Sequence, residues 1–200
     1  FREALKRSGG PIDAVINYAT VLSRVGEYGA ADRNFKRALK EVPAHPVANF
    51  HYGMNQLWQG NWSEGWPLHE WRFLSGTYAG SLRQIAVTAP LPDSLAGKRV
   101  FLFREQGIGD ELRFATMVQD IAARGGDITL ECSAKLMPLF ARSFPGLTLV
   151  EARHLAVDRG EEVFDVTLPT GSLGQYVRRT PADFPRNRTL LQTDPLRVAA

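Results

Sequence analysis

The stretch VFLFREQGIGD, residues Val100 to Asp110, decides how the second half of this chain folds. Its first four residues are all apolar, which is typical of a strand covered by helices on both faces of a parallel sheet. Two glycines follow within EQGIGD, and a helical pattern of apolar residues starts near Asp110. The stretch therefore predicts a strand, a tight turn and a helix. This arrangement places a ligand site at the carboxyl end of a parallel strand.

Two glycines and an aspartate carry the chemistry that this turn offers. Gly107 and Gly109 let the backbone turn sharply and approach a ligand closely. Asp110 follows in the first helical turn, where the helix dipole and the free N–H groups favour its ionised form. Two roles stay open for Asp110: a helix cap, the commonest role of aspartate at a helix start, or a general base. Leu112 replaces the third glycine of the dinucleotide motif G-x-G-x-x-G, which argues against a Rossmann cofactor.

Beyond residue 98 the apolar pattern alternates between strands and helices. After the first strand we expect a crossover helix that ends at Gly125-Gly126, strands at 128–132, 147–150 and 163–168, and a helix at 136–144. Asp194-Pro195 begins a last helix, with Asp as the cap and Pro in the first turn. This alternation predicts a parallel α/β sheet in a Rossmann-like lobe.

The front of the chain contains an internal repeat. FREAL (1–5) recurs as FKRAL (35–39), and the same offset relates Gly26 to Gly60 and Tyr28 to Trp62. Small and aromatic residues at fixed places in a period of this length are typical of tetratricopeptide repeats, in which each repeat is a pair of helices. We therefore expect residues 1–74 to be all-helical, as the C-terminal end of a repeat array.

The last repeat is rich in tryptophan, and a segment rich in Gly, Ser, Pro and Ala follows it. The tryptophans are Trp58, Trp62, Trp66 and Trp71. A terminal repeat must cover its open face, so we interpret them as packing residues at the next domain; an aromatic platform for a sugar is the alternative. Residues 75–97 are predicted to be a linker and residues 98–200 the α/β lobe.

The composition excludes several classes of protein. The 24 basic and 21 acidic residues leave a net charge of +3, too small and too dispersed to indicate nucleic acid. Cys132 is the single cysteine, so no intrachain disulfide forms, and we expect it to be buried in a strand. The histidines lack the spacing of a metal site. No apolar run reaches a membrane span, and FREALKRSGG is no signal peptide, so we expect a cytoplasmic protein.

Two motifs together carry a resemblance to a known family. The degenerate repeat GWPLHEWRF (65–73) and the motif EQGIGDELRF (105–114) resemble bacterial tetratricopeptide proteins fused to a glycosyltransferase domain. That domain is similar to the ADP-heptose:lipopolysaccharide heptosyltransferases (glycosyltransferase family 9). The resemblance implies a GT-B fold with two Rossmann-like lobes, the first meeting the acceptor and the second holding a nucleotide-sugar donor. Residues 98–200 then correspond to the acceptor lobe, and we expect this chain to lack the donor lobe and to be inactive alone.

The resemblance also implies roles for individual residues. Gly109-Asp110 matches the Gly-Asp pair of the heptosyltransferases, whose aspartate is the proposed base, and no metal is needed. The residues expected to bind substrate around it are Gln106, Gly107, Gly109 and Glu111. The Glu105-Gln106 pair departs from the heptosyltransferases and leaves the acceptor open. No cofactor is expected in this chain; the full-length protein is expected to use a nucleotide-sugar donor.

Two hypotheses of function therefore stand side by side. The first is an enzyme, a glycosyltransferase that acts on a sugar, glycan or protein acceptor with Asp110 as its base. The second is a binding module, in which the repeats recruit a protein partner and the Rossmann-like lobe has lost catalysis.

Overall fold

The computed structural model describes residues 11–76, 87–152, 162–186 and 190–195. They divide into two compact units: the described residues up to Gly76 with Arg179–Pro181, and the remaining described residues. Helical repeats precede an α/β lobe, which confirms the predicted fold class. The first copy of the repeat at residues 1–5, the linker residues 77–86 and the helix after Pro195 lie outside the described residues. No helix in the described ranges is long and apolar enough to span a membrane.

The described part of the first unit consists of paired helices. They are α1 (Ile12–Arg24), α2 (Tyr28–Glu41), α3 (Pro46–Trp58), α4 (Trp62–His69) and a short 3-10 helix (Glu70–Phe73). The start of α3 follows the start of α1 by the same interval that separates α4 from α2, and this interval equals the offset of the sequence repeat. The repeat in sequence is therefore also a repeat in structure. Gly26 and Gly60 turn the chain within each pair with φ angles of 85° and 83°, a conformation that glycine adopts without strain.

Small residues let these helices approach each other closely. Ala31 and Ala38 of α2 are buried around Phe35 in the core of the unit. A Cβ built on Gly53 of α3 lies only 2.7 Å from the Leu68 Cβ of α4, and a Cβ on Gly65 of α4 lies 2.7 Å from the Leu57 Cγ of α3. The packing of α3 against α4 therefore depends on two glycines that face the partner helix.

A polar network, buried at Ser23, Asn55 and Gln56, joins the first three helices. Ser23 of α1 donates to the Asn55 Oδ1 of α3 over 2.5 Å. The side-chain amides of Asn55 and Gln56 both donate to Asp32 of α2, over 3.2 and 2.5 Å. Lys36 pairs with the other oxygen of Asp32 at 2.9 Å. Because buried polar groups are costly without partners, this network favours one alignment of the helices over others.

The second unit is built on a four-stranded parallel sheet. Its strands are β1 (Arg99–Phe103), β2 (Asp127–Cys132), β3 (Thr148–Glu151) and β4 (Val166–Pro169), in the order β3-β2-β1-β4. Leu102 of β1 lies opposite Leu130 on one side and Leu168 on the other. The predicted parallel pairing of β1 with β2 is confirmed. From Val100 onward every residue of β1 is buried, as its apolar sequence predicts.

The helices of the second unit are short. Those described are α5 (Ile108–Ala115), α6 (Val118–Ala122), α7 (Met137–Ser143) and α8 (Gly174–Val177), with a 3-10 helix at Thr170–Ser172. A further 3-10 helix, Pro181–Asp183, begins at Pro181, which is grouped with the first unit. The single predicted crossover helix is in fact two helices, α5 and α6. The Thr116 hydroxyl donates to the Arg113 carbonyl over 2.7 Å and competes for the helical hydrogen bond there. The Met117 N–H then bonds to Phe114, one residue too near for an α-helix.

The described end of the predicted linker, residues 87–97, belongs to the α/β unit. Leu91 and Leu95 are buried. The Thr88 N–H donates to the Thr167 carbonyl over 2.8 Å, and the Thr167 N–H donates to the Thr88 hydroxyl over 3.0 Å. The segment therefore contacts the outer edge of β4. Its proline-rich composition indicates the turns but does not reveal this contact.

Candidate functional site

The candidate site lies where the strand order of the sheet reverses. From β1 the chain builds β2 and β3 on one side and then returns to place β4 on the other side. In open parallel sheets, ligands bind outside the carboxyl ends of the strands at such a point. The turns after β1 and β4 lie against each other there. Glu105 is so close to Gly171 that a Cβ built on this glycine would overlap the Glu105 carboxylate. The predicted site residues follow β1 directly, so the topology puts them at this switch point.

Asp110 closes the first turn of α5 from its third position. The helix begins after Gly107, and the Gly107 N–H donates to the Asp110 Oδ2 over 3.4 Å. The Asp110 Oδ1 accepts from the Arg113 Nη2 at 2.9 Å. The Asp110 side chain is 33% exposed. One carboxylate thus caps the helix from within the first turn and also meets solvent, so capping and proton transfer do not exclude each other.

The turn before α5 contains a strained residue. Gln106 has a φ of 62°, and it is the one residue other than glycine with a positive φ in the described part of the chain. A non-glycine residue in this region costs about 1–3 kcal/mol and persists where its surroundings hold it. Two contacts hold Gln106. The Arg104 Nη2 donates to its carbonyl over 2.8 Å, and its own side-chain Nε2 donates to the buried Glu105 Oε1 over 3.1 Å.

Glu111 points into the lobe. Its Oε1 lies 2.7 Å from the Arg104 Nε, and its Oε2 accepts from the Ser133 N–H at 2.8 Å. A second buried carboxylate, that of Glu131, accepts from the Arg104 N–H at 3.2 Å. Buried carboxylates of this kind need a cation and hydrogen bonds to offset their desolvation. Glu111 therefore links α5 to the residues that follow β1 and β2. The sequence predicts a substrate contact for Glu111, whereas the structure places its side chain inside the lobe.

The other predicted residues come together at the surface. Gly107 and Gly109 are exposed, and Gln106 and Asp110 are partly exposed beside them. Together they present a carboxylate, a carboxamide and backbone N–H groups of the turn. Such a set can accept a proton and orient a polar substrate by hydrogen bonds. Only Glu111, among the predicted residues, lies beneath this surface.

Of the residues that support the site from below, sequence reasoning named Glu111 alone, as a substrate contact, and missed the others. Arg104, Glu111, Glu131 and Thr170 line one small space under the turn. The hydroxyl of Thr170 is buried and makes no hydrogen bond to any described residue. Arg104 stands directly before the motif, and its charge after an apolar strand was an available signal. Glu131 and Thr170 belong to other strands and turns, so only the strand order brings them here.

Cys132 ends β2 near this network and is not a nucleophile at neutral pH. Burial, together with the charges of Glu111 and Glu131, raises the pKa of the Cys132 thiol to about 12. Its Sγ contacts the Met137 Sδ at 3.2 Å. The interpretation of Cys132 as a buried small residue is confirmed. Across the described ranges, no group of three or more His, Cys, Asp or Glu side chains is arranged to hold a metal ion.

The first unit has a pocket of its own, of about 200 Å³. It is lined by Thr20, Ser23 and Arg24 of α1 and by Phe50, His51, Met54 and Trp58 of α3. Trp58 is 47% exposed. Burial, and to a lesser degree the charge of Arg24, lowers the pKa of His51 below its usual value. The pocket thus combines an apolar wall with one cation and a neutral imidazole.

Comparison with known proteins finds a relative that matches the whole chain. Protein FlbA of Caulobacter vibrioides is 31% identical to it over 216 residues, which cover 100% of this chain and 36% of FlbA. The chain thus spans about a third of the length of that relative. No protein-family model matches the chain. No solved structure matches it either.

Proposed function

We propose that this chain supplies the repeats and the acceptor lobe of a bacterial, cytoplasmic, nucleotide-sugar-dependent glycosyltransferase. In this proposal Asp110 activates the acceptor hydroxyl, and a donor lobe outside residues 1–200 holds the nucleotide sugar. The acceptor is a sugar, a glycan or a protein. The tetratricopeptide and heptosyltransferase-like character of the chain belongs to the same proposal and rests on the resemblance of its motifs.

One observation carries the proposal: a partly exposed carboxylate stands at the switch point of a parallel sheet. Asp110 is fixed by the Gly107 N–H and by Arg113, yet its side chain is 33% exposed. The exposed glycines before it leave room for a substrate to approach the backbone. A carboxylate held in place and open to solvent is what a general base requires.

The reaction balances with the groups that the proposal names. The acceptor O–H loses its proton to the Asp110 carboxylate while its oxygen forms a bond to the anomeric carbon of the donor. The bond from that carbon to the leaving phosphate oxygen breaks, and the nucleoside diphosphate leaves with the electron pair. The side chains of Gln106 and Asp110 orient the acceptor by hydrogen bonds. Arg113, paired with Asp110 at 2.9 Å, keeps the carboxylate in position.

Replacement of Asp110 by asparagine tests the proposal. In the full-length gene product, Asp110→Asn keeps the shape of the side chain but removes its basicity. We expect the rate of transfer to fall on the order of a hundredfold or more, the usual size of a general-base contribution. The free energy of unfolding changes less than the activation free energy, because the asparagine Oδ1 can still accept from the Gly107 N–H. The measurement is nucleoside diphosphate release from a panel of UDP-, GDP- and ADP-sugars, with water as the first acceptor.

A matched control is Asp127→Asn, which makes the same chemical change at the opposite end of the sheet. Asp127 is the exposed first residue of β2. We expect this variant to release nucleoside diphosphate at the wild-type rate. Equal turnover by Asp110→Asn and the wild type leaves Asp110 a helix cap only. If the wild type turns over none of the donors, the enzyme proposal is wrong.

The pocket of the first unit favours the second candidate, a protein-interaction module. Its exposed Trp58 and the Arg24 beside it offer an apolar contact and a cation to a peptide segment of a partner. Trp58→Ala should abolish capture of such a partner. Val42→Ala should leave it unchanged, because Val42 is exposed to a similar degree but does not line the pocket.

A further inference from the structure

We infer that Arg104 is a positioning residue for Asp110. Its pairing with Glu111 fixes the guanidinium, which holds Gln106 in the left-handed conformation. The conformation of Gln106 then sets the position of the turn that leads to Asp110. This inference rests on the proposed function. It goes beyond it in assigning a role to the ion pair between the partly exposed Arg104 and the buried Glu111.

The contacts of Arg104 reach three parts of the lobe. Its guanidinium lies 2.7 Å from the Glu111 carboxylate of α5 and donates over 2.8 Å to the Gln106 carbonyl of the turn. Its backbone N–H donates to Glu131 of β2 over 3.2 Å. Glu111 is anchored in turn by the Ser133 N–H after β2. The Glu111 carboxylate thus fixes the guanidinium, and the guanidinium in turn donates to the strained residue, Gln106.

The left-handed conformation of Gln106 requires such a contact. A glutamine leaves the left-handed φ region when nothing holds it, since its Cβ makes that region unfavourable. If Gln106 relaxes, the directions of Gly107 and of the first turn of α5 change with it. The Asp110 carboxylate is bonded to the Gly107 N–H, so it moves together with the turn. A base displaced by about 1 Å loses on the order of a hundredfold in rate.

Glu105 provides the second contact to Gln106. Its Oε1 accepts from the Gln106 Nε2 at 3.1 Å, and its carboxylate rests on Gly171 after β4. Two hydrogen bonds, one to the carbonyl and one to the carboxamide, therefore define the conformation of Gln106. The bond from Arg104 acts on the backbone carbonyl, so it restrains the peptide between Gln106 and Gly107 in the orientation that goes with the left-handed conformation.

A double-mutant cycle in the full-length protein tests this role. Glycine adopts positive φ without strain, so Gln106→Gly removes the need for Arg104. We expect Arg104→Gln to lower kcat for donor turnover at least about tenfold at an unchanged KM for the donor. In the background of Gln106→Gly, the same substitution should lower kcat less than about threefold. Equal losses in both backgrounds overturn the inference.

Hydrogen exchange provides a readout that does not depend on activity. In Arg104→Gln we expect amides 104–111 to exchange at least about tenfold faster, with the amides of β1 and β2 unchanged. A matched control is Arg99→Gln, which breaks an ion pair of 2.8 Å with Glu162 at the other end of β1 and should leave amides 104–111 unaffected. Loss of protection throughout β1 and β2 makes Arg104 a general support of the fold and overturns the positioning role.

The two possible failures can be told apart. A wild-type protein that turns over no donor contradicts the proposed function but leaves the exchange experiment intact. Unchanged exchange at residues 104–111 in Arg104→Gln contradicts the positioning role, whatever the wild-type protein turns over. Arg104→Lys adds a graded test: it keeps the charge opposite Glu111 but lacks the planar fork that reaches carboxylate and carbonyl together. We expect its kcat to lie between those of the wild type and Arg104→Gln.

Discussion

At the scale of single residues, the candidate site contains two sets of polar groups. One set is exposed to solvent, and the other is buried inside the lobe with hydrogen-bonding or charged partners. Asp110 and Gln106 keep part of their surface exposed, whereas Glu105 and Glu111 are buried with their partners. Both sets come from one short motif. Adjacent acidic residues, Asp110 and Glu111, therefore take opposite roles, because α5 turns one toward solvent and the other toward Arg104.

Cys132 provides a prediction at this scale. Burial and two neighbouring carboxylates raise the pKa of its thiol to about 12, so the thiolate is absent at neutral pH. We expect the native protein to react with a disulfide reagent such as Ellman's reagent at least about a hundredfold more slowly than the unfolded chain. The release of thionitrobenzoate, followed with and without denaturant, measures this ratio. A native rate close to that of a free cysteine is incompatible with the burial of Cys132.

At the scale of elements, the first unit depends on how closely α3 and α4 approach. Gly53 and Gly65 lie at positions where any side chain would overlap the partner helix. The overlap would include backbone atoms of that helix, which cannot move aside as a side chain can. This close approach and the polar network around Asp32 act on different pairs of helices. The glycines fix the spacing of α3 and α4, and the network fixes α3 against α1 and α2.

Gly53→Ala should therefore destabilise the first unit. Its Cβ would lie 2.7 Å from the Leu68 Cβ and 2.9 Å from the Leu68 carbonyl carbon. We expect overpacking to lower the free energy of unfolding by about 1–3 kcal/mol. This loss exceeds the stabilisation that the higher helix propensity of alanine provides. Urea unfolding followed by tryptophan fluorescence measures the change. The control Gly29→Ala adds a Cβ that meets only the tip of Arg33 at 3.9 Å and should be neutral or slightly stabilising. Equal midpoints for the two variants contradict the close packing.

At the scale of the whole molecule, each unit has its own core, so each should have its own response to pH. In the first unit the folded state holds His51 neutral, because burial lowers its pKa from the usual 6.5. The unfolded chain takes up a proton near that usual pKa, and the folded unit takes it up only at a lower pH. The contribution of His51 to the free energy of unfolding is therefore fully present above the pKa of the unfolded chain. It is lost as the pH falls through the pKa of the folded state.

We expect the free energy of unfolding of the first unit to decrease as the pH is lowered from 7 to 5, and to decrease less steeply in His51→Gln. The difference between the two slopes isolates the histidine from the carboxylates, which titrate in both proteins. It cannot exceed about 1.4 kcal/mol per pH unit, the limit for one proton. Urea titrations at several pH values provide the slopes. Parallel profiles for the two proteins contradict a depressed pKa for His51.

Local patterns in the sequence predict much of this molecule. The spacing between Gly26 and Gly60 predicts the paired helices, and the VFLF run predicts the buried strand that leads to Asp110. These signals are local, because a helix repeat or a strand followed by a glycine turn needs no distant residue. The break between α5 and α6 escapes them, since it depends on where one hydroxyl of Thr116 points.

The support of the site escapes local patterns for a different reason. The Arg104 contact with Glu131 and the meeting of Glu105 with Gly171 require β2 and β4 to lie on either side of β1. The sequence indicates a parallel sheet but not the order of its strands. The inward direction of Glu111 likewise depends on the pairing of β1 with β2.

The contact between Glu105 and Gly171 has a consequence for proteins related to this one. The two positions share one volume, since a side chain at position 171 would occupy the space that the Glu105 carboxylate fills. A relative that gains a side chain at position 171 must therefore move the carboxylate at position 105 or carry a shorter residue there. When homologues are aligned, these two columns should therefore vary together across lineages, although the residues come from turns that are far apart in the chain.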